Sequence, residues 1–252
     1  MWGFSKFWYD PSYWDFSTVN SEVENYNVED KSGNGYNGTA NVSELNYDHG
    51  MHFDGLDDYV EIANYVPSHN ITASVTFTSY STRSYQLLFS HSNLSTRYFG
   101  LFVHGRTLYV FINGSTYSTG YCIPYFKETN MTVTYDSNKY LKVYVDGELV
   151  YTHNSVNKTI GTGANAKTFV GHDIYYSSTS YKYLGYIKDL TVFDRAISPE
   201  EVRANYNSSG ITNTDGLKIR HVYTDAQYES KGYYPIHKSS NEKYKAYNAA
   251  NL

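Results

Sequence analysis

The chain has 252 residues, a formal net charge of −5 and 18 % aromatic residues, with 30 tyrosines and a single cysteine. The length fits one large all-β domain or two small ones, and the abundance of strand-favouring residues indicates β-structure. The charge gives no support to a nucleic-acid partner, and one cysteine excludes a disulfide framework. No leader pattern and no membrane-length apolar run occur, so we expect no signal peptide and no membrane segment.

Residues 1–12 form a predicted aromatic N-terminal arm, and all three tryptophans lie within the first fourteen residues. One interpretation is that the arm packs across the domain as an extra edge. The other is that it inserts into a partner protein, because Trp and other aromatic side chains dominate binding hot spots. The side chains proposed for this docking are Trp2, Phe4, Phe7 and Trp8.

Two turn regions rich in Asp, Asn and Gly follow, at residues 28–39 and 54–58. Their hard oxygen atoms suit calcium, and the predicted ligands are Asp30, Asn34, Asp54, Asp57 and Asp58. Backbone capping by Asp and Asn side chains is the more economical explanation of the same pattern. Calcium is therefore the only cofactor that the sequence suggests, and it stays an alternative at this point.

From residue 71 onward, short alternating apolar stretches recur between turns at a spacing typical of a β-sandwich or barrel. The clearest is a hairpin over residues 139–151, in which Asp146 and Gly147 predict a two-residue type I′ turn. Gly185 interrupts the long apolar stretch 183–193 and suggests a β-bulge there. Cys122 lies at an apolar strand end and is predicted to be a small buried residue.

A polar loop precedes the last long strand, and a single helix follows it. The loop runs from His172 to Ser180 and carries Asp173, Tyr175 and Tyr176. Ser198 is the predicted N-cap, with Pro199 in the first turn and Glu201 completing a capping box. Val202 and Tyr206 are expected to share the buried face of this helix.

Residues 216–252 change in character, with six Lys or Arg against three Asp or Glu, recurring tyrosines and almost no large aliphatic residues after Ile219. Such a segment cannot bury a core of its own. A solvated tail, a tail docked on the acidic body of the chain and a tail docked on a partner are the three alternatives, and we favour the partner. The proposed docking side chains are Tyr223, Tyr228, Tyr233 and Tyr234.

Five motifs in register carry a resemblance to the laminin-G-like domains of the concanavalin A-like lectin/glucanase superfamily over about residues 13–207. They are YWDF (13–16), DKSGNGYNGT (30–39), FDGLDDYV (53–60), LKVYVDGELV (141–150) and GYIKDLTVFDRAISPEEV (185–202). The resemblance implies an all-β jelly-roll sandwich of two antiparallel sheets over residues 13–215, with one short helix near its C-terminal end. The arm and the tail flank this domain.

Superfamily members that cleave glycans carry a strand with alternating acids, which places two carboxylates on one face. The pattern is absent here, since Glu22-Val23-Glu24 lacks the third acid, so we expect no enzymatic activity.

The first hypothesis is a structural or attachment protein of a larger assembly, such as a phage decoration, head-fibre or tail protein on a virion surface. The alternative is an extracellular carbohydrate-binding module, a calcium-assisted lectin or adhesin for cell-surface glycans. Lectins stack sugars on aromatic rings and bind their hydroxyl groups through Asp or Asn, so this resemblance implies glycan contacts at Asp173, Tyr175, Tyr176 and Tyr181.

Overall fold

The computed structural model describes residues 25–42, 45–46, 49–175 and 181–223. The N-terminal arm, the predicted first strand at residues 13–16 and the chain beyond residue 223 lie outside the described residues. Within the described part, no helix combines the length and the apolar character needed to cross a membrane.

Sixteen strands and one helix make up the described chain. In chain order they are β1 (Asn25–Val28), β2 (Gly38–Asn41), β3 (Leu45–Asn46), β4 (Gly50–Asp54), β5 (Tyr59–Ile62), β6 (Ile71–Ser79), β7 (Gln86–Ser92), β8 (Arg97–His104), β9 (Thr107–Ile112), β10 (Ser115–Cys122), β11 (Thr129–Tyr135), β12 (Leu141–Val145), β13 (Glu148–His153), β14 (Lys167–Val170), β15 (Leu184–Phe193), α1 (Pro199–Ser208) and β16 (Leu217–Val222).

The strands form two antiparallel sheets, which confirms the predicted all-β sandwich. Sheet 1 has the order β1-β2-β5-β14-β7-β8-β9-β10. Sheet 2 has the order β13-β12-β11-β6-β15-β4-β3, and β16 also pairs with β15. The long strand β15 is thus bordered by β6 on one side and by β4 and then β16 on the other.

The core lies between the two sheets and is built by the period-two pattern of the strands. Val75 and Phe77 of sheet 2 are buried against the same cluster as Leu101 and Val110 of sheet 1. The alternate positions, such as Thr76 and Tyr109, point away from the core. Each such core side chain contributes about 1.5–3 kcal/mol through burial, so the inner faces hold the sandwich together without disulfides.

The predicted hairpin and helix are both present. Asp146 (φ 50°) and Gly147 (φ 80°) have positive φ, as the type I′ turn between β12 and β13 requires. Ser198 caps α1, accepting from the Glu201 N–H while the Glu201 side chain accepts from the Ser198 N–H. The predicted burial of the helix is only half right, because Val202 is buried whereas Tyr206 is 43 % exposed.

Three expectations need correction. The irregularity in β15 lies between Ile187 and Asp189, and Gly185 instead makes room for the Thr78 carbonyl, which a Cβ would overlap. Cys122 is exposed, because it faces outward on the edge strand β10 while Ile123 is the buried residue. The domain limit expected at residue 215 precedes β16, whose pairing with β15 makes it part of sheet 2.

Candidate functional site

The structure brings three of the four predicted glycan contacts together on the outer face of sheet 1. Asp173, Tyr175 and Tyr181 all surround Arg97, which begins β8. Tyr176 lies outside the described residues. The described residues of the predicted loop are therefore anchored on this sheet face.

Asp173 anchors the loop and is fully buried. Its carboxylate accepts from Arg97 Nε at 2.6 Å, from the Tyr175 backbone N–H at 2.9 Å and from the Ser92 hydroxyl. The neighbouring carbonyl of His172 accepts from the Ser90 hydroxyl at 2.7 Å. A side chain so enclosed does not reach a ligand, so the structure gives Asp173 a positioning role in place of the predicted direct contact.

Four rings form what we call the aromatic face: Tyr85, Phe102, Tyr109 and Tyr181. Phe102 lies at its centre and is stacked between Tyr85, at 5.4 Å between ring centroids, and Tyr109, at 5.1 Å. Tyr181 lies 5.3 Å from Tyr85. Phe102 is buried by its neighbours, while the three tyrosines are half-buried and keep part of their rings at the surface.

Arg97 connects the aromatic face to the loop. Its guanidinium lies 5.6 Å from the Tyr85 ring centroid, 4.9 Å from that of Tyr175 and 5.8 Å from that of Tyr181. Cation–π attraction and the Asp173 ion pair together fix the orientation of these rings. The outcome is an ordered aromatic surface in which one buried ion pair holds the supporting residues.

Sequence reasoning did not identify Tyr85, Phe102 and Tyr109 as site residues. The signal was present in the alternation of β8 and β9, where Phe102 and Tyr109 occupy outward positions on paired strands. The pairing of β8 with β9 places Phe102 and Tyr109 side by side on the outer face of sheet 1. Their alternation indicates a binding surface only once this register is known.

The second predicted site is a carboxylate turn formed by Asp54, Asp57 and Asp58. Their carboxylate oxygens lie within 4.8 Å of one another. Asp54 accepts from the N–H groups of Leu56 at 2.7 Å and Asp57 at 3.3 Å, and Asp58 accepts from the Asp54 N–H at 2.9 Å. Turn capping thus accounts for two of the carboxylates, while the exposed Asp57 side chain has no hydrogen bond or ion pair with a described residue.

The carboxylate turn is linked to the aromatic face by Arg83. The Arg83 guanidinium donates to the Gly55 carbonyl at 2.9 Å, and Arg83 lies two residues before Tyr85. The Arg83 carbonyl also accepts from the Gly105 N–H at 3.3 Å, at the turn between β8 and β9. Both candidate sites therefore share one end of the sandwich.

Asp30 and Asn34, the other predicted calcium ligands, do not join this group. Burial opposes ionisation of Asp30, but hydrogen bonds from the N–H groups of Arg220, Ser32 and Tyr36 outweigh it and lower its pKa. Asn34 donates to the Leu217 carbonyl at 2.9 Å. Both side chains attach their turn to β16, which is the turn-capping role that the sequence also suggested.

The predicted docking residues are placed as follows. Tyr223 is 1 % exposed and belongs to the core, so it offers no surface to a partner in this structure. The docking role predicted for Tyr223 is wrong, because the chain that leads to it forms β16 of sheet 2 and is not a tail. Trp2, Phe4, Phe7, Trp8, Tyr228, Tyr233 and Tyr234 lie outside the described residues.

Comparison with solved structures identifies similar folds at low sequence identity. A heptameric pentraxin from Limulus polyphemus is 17 % identical with a TM-score of 0.54, covering 68 % of this chain and 93 % of that one. Domain 4 of AbnA, an extracellular arabinanase from Geobacillus stearothermophilus in complex with arabinotriose, is 18 % identical with a TM-score of 0.50, covering 72 % and 82 %.

A sialidase from Trypanosoma rangeli is 16 % identical with a TM-score of 0.51, covering 68 % of this chain and 29 % of that one. At these identities the likeness shows the fold alone. None of the curated proteins matches the sequence.

A family model of the concanavalin A-like lectin/glucanases superfamily matches residues 53–203, which is more than half of the chain. The expected resemblance is thereby confirmed over residues 53–203, which contain three of the five motifs, and the chain belongs to the concanavalin A-like lectin/glucanases superfamily.

Proposed function

We propose that this protein binds carbohydrate without cleaving it, through the aromatic face of sheet 1. The observation that carries the proposal is the row of stacked rings Tyr85, Phe102 and Tyr109 extended by Tyr181. The C–H face of a sugar ring is apolar and packs on such a surface, while the tyrosine hydroxyls provide polar contacts at its border. The similarity to an arabinanase domain in complex with arabinotriose supports this ligand class.

The structural or attachment role in a larger assembly rests on the two terminal segments. Those segments lie outside the described residues, so a virion or cell-surface location and assembly partners stay predictions. Glycan binding is compatible with that role, because an attachment protein needs a displayed domain that recognises a surface. The absence of enzymatic activity likewise remains part of the proposal.

Replacing Tyr109 with alanine is expected to lower affinity for the bound glycan about tenfold, because it removes one end of the stacked row and loosens Phe102. The full chain would be screened on a glycan array, and the best ligand then titrated by calorimetry against wild type and Y109A. Tyr140, which is 43 % exposed and directly precedes β12, provides a matched control as Y140A. No binding by wild type across the array, or equal affinities of wild type and Y109A, would contradict the proposal.

We also propose calcium at the carboxylate turn as support for the loop that leads into the aromatic face. Three carboxylates with oxygens within 4.8 Å fit a hard divalent cation, and Asp57 has its carboxylate available. Calcium there would stiffen the turn that Arg83 ties to Tyr85. Asp54, Asp57 and Asp58 would hold the ion. Its role would be structural, because it would neutralise the negative charges of the three carboxylates.

The calcium proposal predicts that calcium at 100 times its Kd raises the free energy of unfolding by about 2.7 kcal/mol. Asp57→Asn is expected to abolish this increase while leaving the melting temperature in EDTA unchanged, because Asp57 caps nothing in the turn. Asp215→Asn, an exposed acid elsewhere, is the control and should respond to calcium as wild type does. Equal melting temperatures of wild type with calcium and with EDTA would refute the site.

A further inference from the structure

A groove of about 230 Å³ lies on the outer face of sheet 2, on the opposite side of the sandwich from the aromatic face. We call it the helix groove. Its floor consists of outward side chains of β6, β11, β15 and β16, and the C-terminal end of α1 closes one side. The floor side chains used below are Ser74, Thr76, Asn130, Thr132, Asp189 and Arg220.

Hydrogen bonds hold the floor in place before any ligand arrives. The Asn130 amide donates to Ser74 Oγ at 3.1 Å and to Thr76 Oγ1 at 3.0 Å. The Thr132 hydroxyl donates to Asn130 Oδ1 at 3.0 Å and lies 2.8 Å from Ser74 Oγ. A polar surface that is already ordered costs little entropy when it binds a ligand.

Two charged groups in the groove have capacity left for a ligand. Asp189 accepts a single hydrogen bond from the described residues, from Thr76 at 3.2 Å. The Arg220 guanidinium makes no hydrogen bond or ion pair with them. Asp189 pairs in register with Val222, so Arg220 is its diagonal neighbour across the strand pair, and the two form no ion pair.

The electrostatics favour an uncharged ligand that offers both donors and acceptors. Burial raises the pKa of Asp189 to about 6, opposed by Thr76, Lys188 and Arg220 and reinforced by Glu128. Lys188 and Glu128 are already paired with each other at 3.0 Å at the rim. Asp189 would repel a strongly acidic ligand, and Arg220 would repel a strongly basic one, so neither kind of ligand is well matched to the groove.

The wall of the groove is apolar where the floor is polar. Phe193 and Ile211 line it, and Tyr206, which is 43 % exposed, stands at the helix end. A ring with an apolar face and hydroxyl groups on its edge satisfies both surfaces at once. One hydroxyl would donate to Asp189, and a neighbouring one would accept from Arg220.

We propose that the helix groove is a second saccharide site, which takes one uncharged sugar ring with adjacent hydroxyl groups. This inference extends the proposed function from one face of the sandwich to both. Two sites on opposite faces would allow one protein molecule to cross-link two glycan chains.

The test is a titration of the isotope-labelled full chain, followed by amide NMR shifts, with glucose, galactose, mannose, xylose and N-acetylglucosamine. We expect at least one sugar to shift residues of the groove floor, such as Thr76 and Asn130. Asp189→Asn is expected to weaken that binding about tenfold, because the amide oxygen of Asn still accepts the hydrogen bond but lacks the charge that strengthens it. Y206A, which changes only the rim, should weaken it severalfold, and Y140A should not change it.

The two sites are distinguished by variants. Y109A alters the aromatic face and should leave the shifts in the groove unchanged, so the groove can succeed or fail independently of the first site. Floor residues that do not shift with any of the five sugars overturn the inference. So do shifts there that appear only with glucuronate or glucosamine, because the groove would then recognise charge.

Discussion

Arg97→Met is expected to lower the free energy of unfolding by about 3–5 kcal/mol, because it leaves a buried carboxylate without its counter-charge. Asp173 is fully buried, and among the described residues only the Ser92 hydroxyl and the Tyr175 N–H would remain as its hydrogen-bond donors. The same change removes the cation that orders the rings of Tyr85 and Tyr181. Urea unfolding at neutral pH measures the loss.

Arg203 provides the control, because it forms an ion pair with Glu148 at a similar distance, 2.8 Å, on the surface. Its side chain is 59 % exposed, so Arg203→Met should cost at most about 1 kcal/mol. The double variant Arg97→Met, Asp173→Leu should recover part of the stability lost in Arg97→Met. Equal losses for Arg97→Met and Arg203→Met would show that the Asp173 ion pair does not support the loop.

Acidification from about pH 6.5 to pH 4 is expected to destabilise the fold by roughly 5 kcal/mol. Burial lowers the pKa of His52, His91 and His172 from 6.5 to about 4. Between these values the unfolded chain binds more protons than the folded one, so the stability present above pH 6.5 is lost as the pH falls. Each histidine contributes about 2–3 kcal/mol to this loss.

Asp189 acts in the opposite direction. Its pKa is raised from the usual 3.8 to about 6, so between these pH values the folded chain binds a proton that the unfolded chain has released. Its contribution is fully present below pH 3.8 and is lost as the pH rises through 6, which offsets about one histidine. His91→Gln should flatten the pH dependence, because it removes one of these three imidazoles. A free energy of unfolding that is constant from pH 6.5 to 4 would contradict the assignment.

Local features of this fold are predictable from short stretches of sequence. Asp146-Gly147 and the capping box of Ser198 and Glu201 depend on interactions within four residues, so the sequence pattern contains their whole cause. The alternation of β6 also predicts which side chains enter the core. The three motifs that lie within residues 53–203 predicted the superfamily that the family model confirms.

The site residues were harder to predict because their environment comes from distant strands. Asp173 is turned into a buried anchor by Arg97, 76 positions earlier, and no local pattern records that pairing. Cys122 was misjudged for a related reason, since an apolar stretch on an edge strand still has one face in water. The helix groove combines four strands and a helix, so only the register reveals that Thr76, Asn130 and Asp189 meet.

The position of β15 has a consequence for how this protein is made. The strand is central to sheet 2 and binds β6 through residues such as Thr76 and Asp189, 113 positions apart in the chain. While the ribosome is still adding residues before 184, the strands β6 and β4 have already emerged with an open edge each. Closure of the sandwich must wait for the last strands, which makes folding slow, and the nascent chain is exposed to chaperones and to mispairing with its neighbours until then.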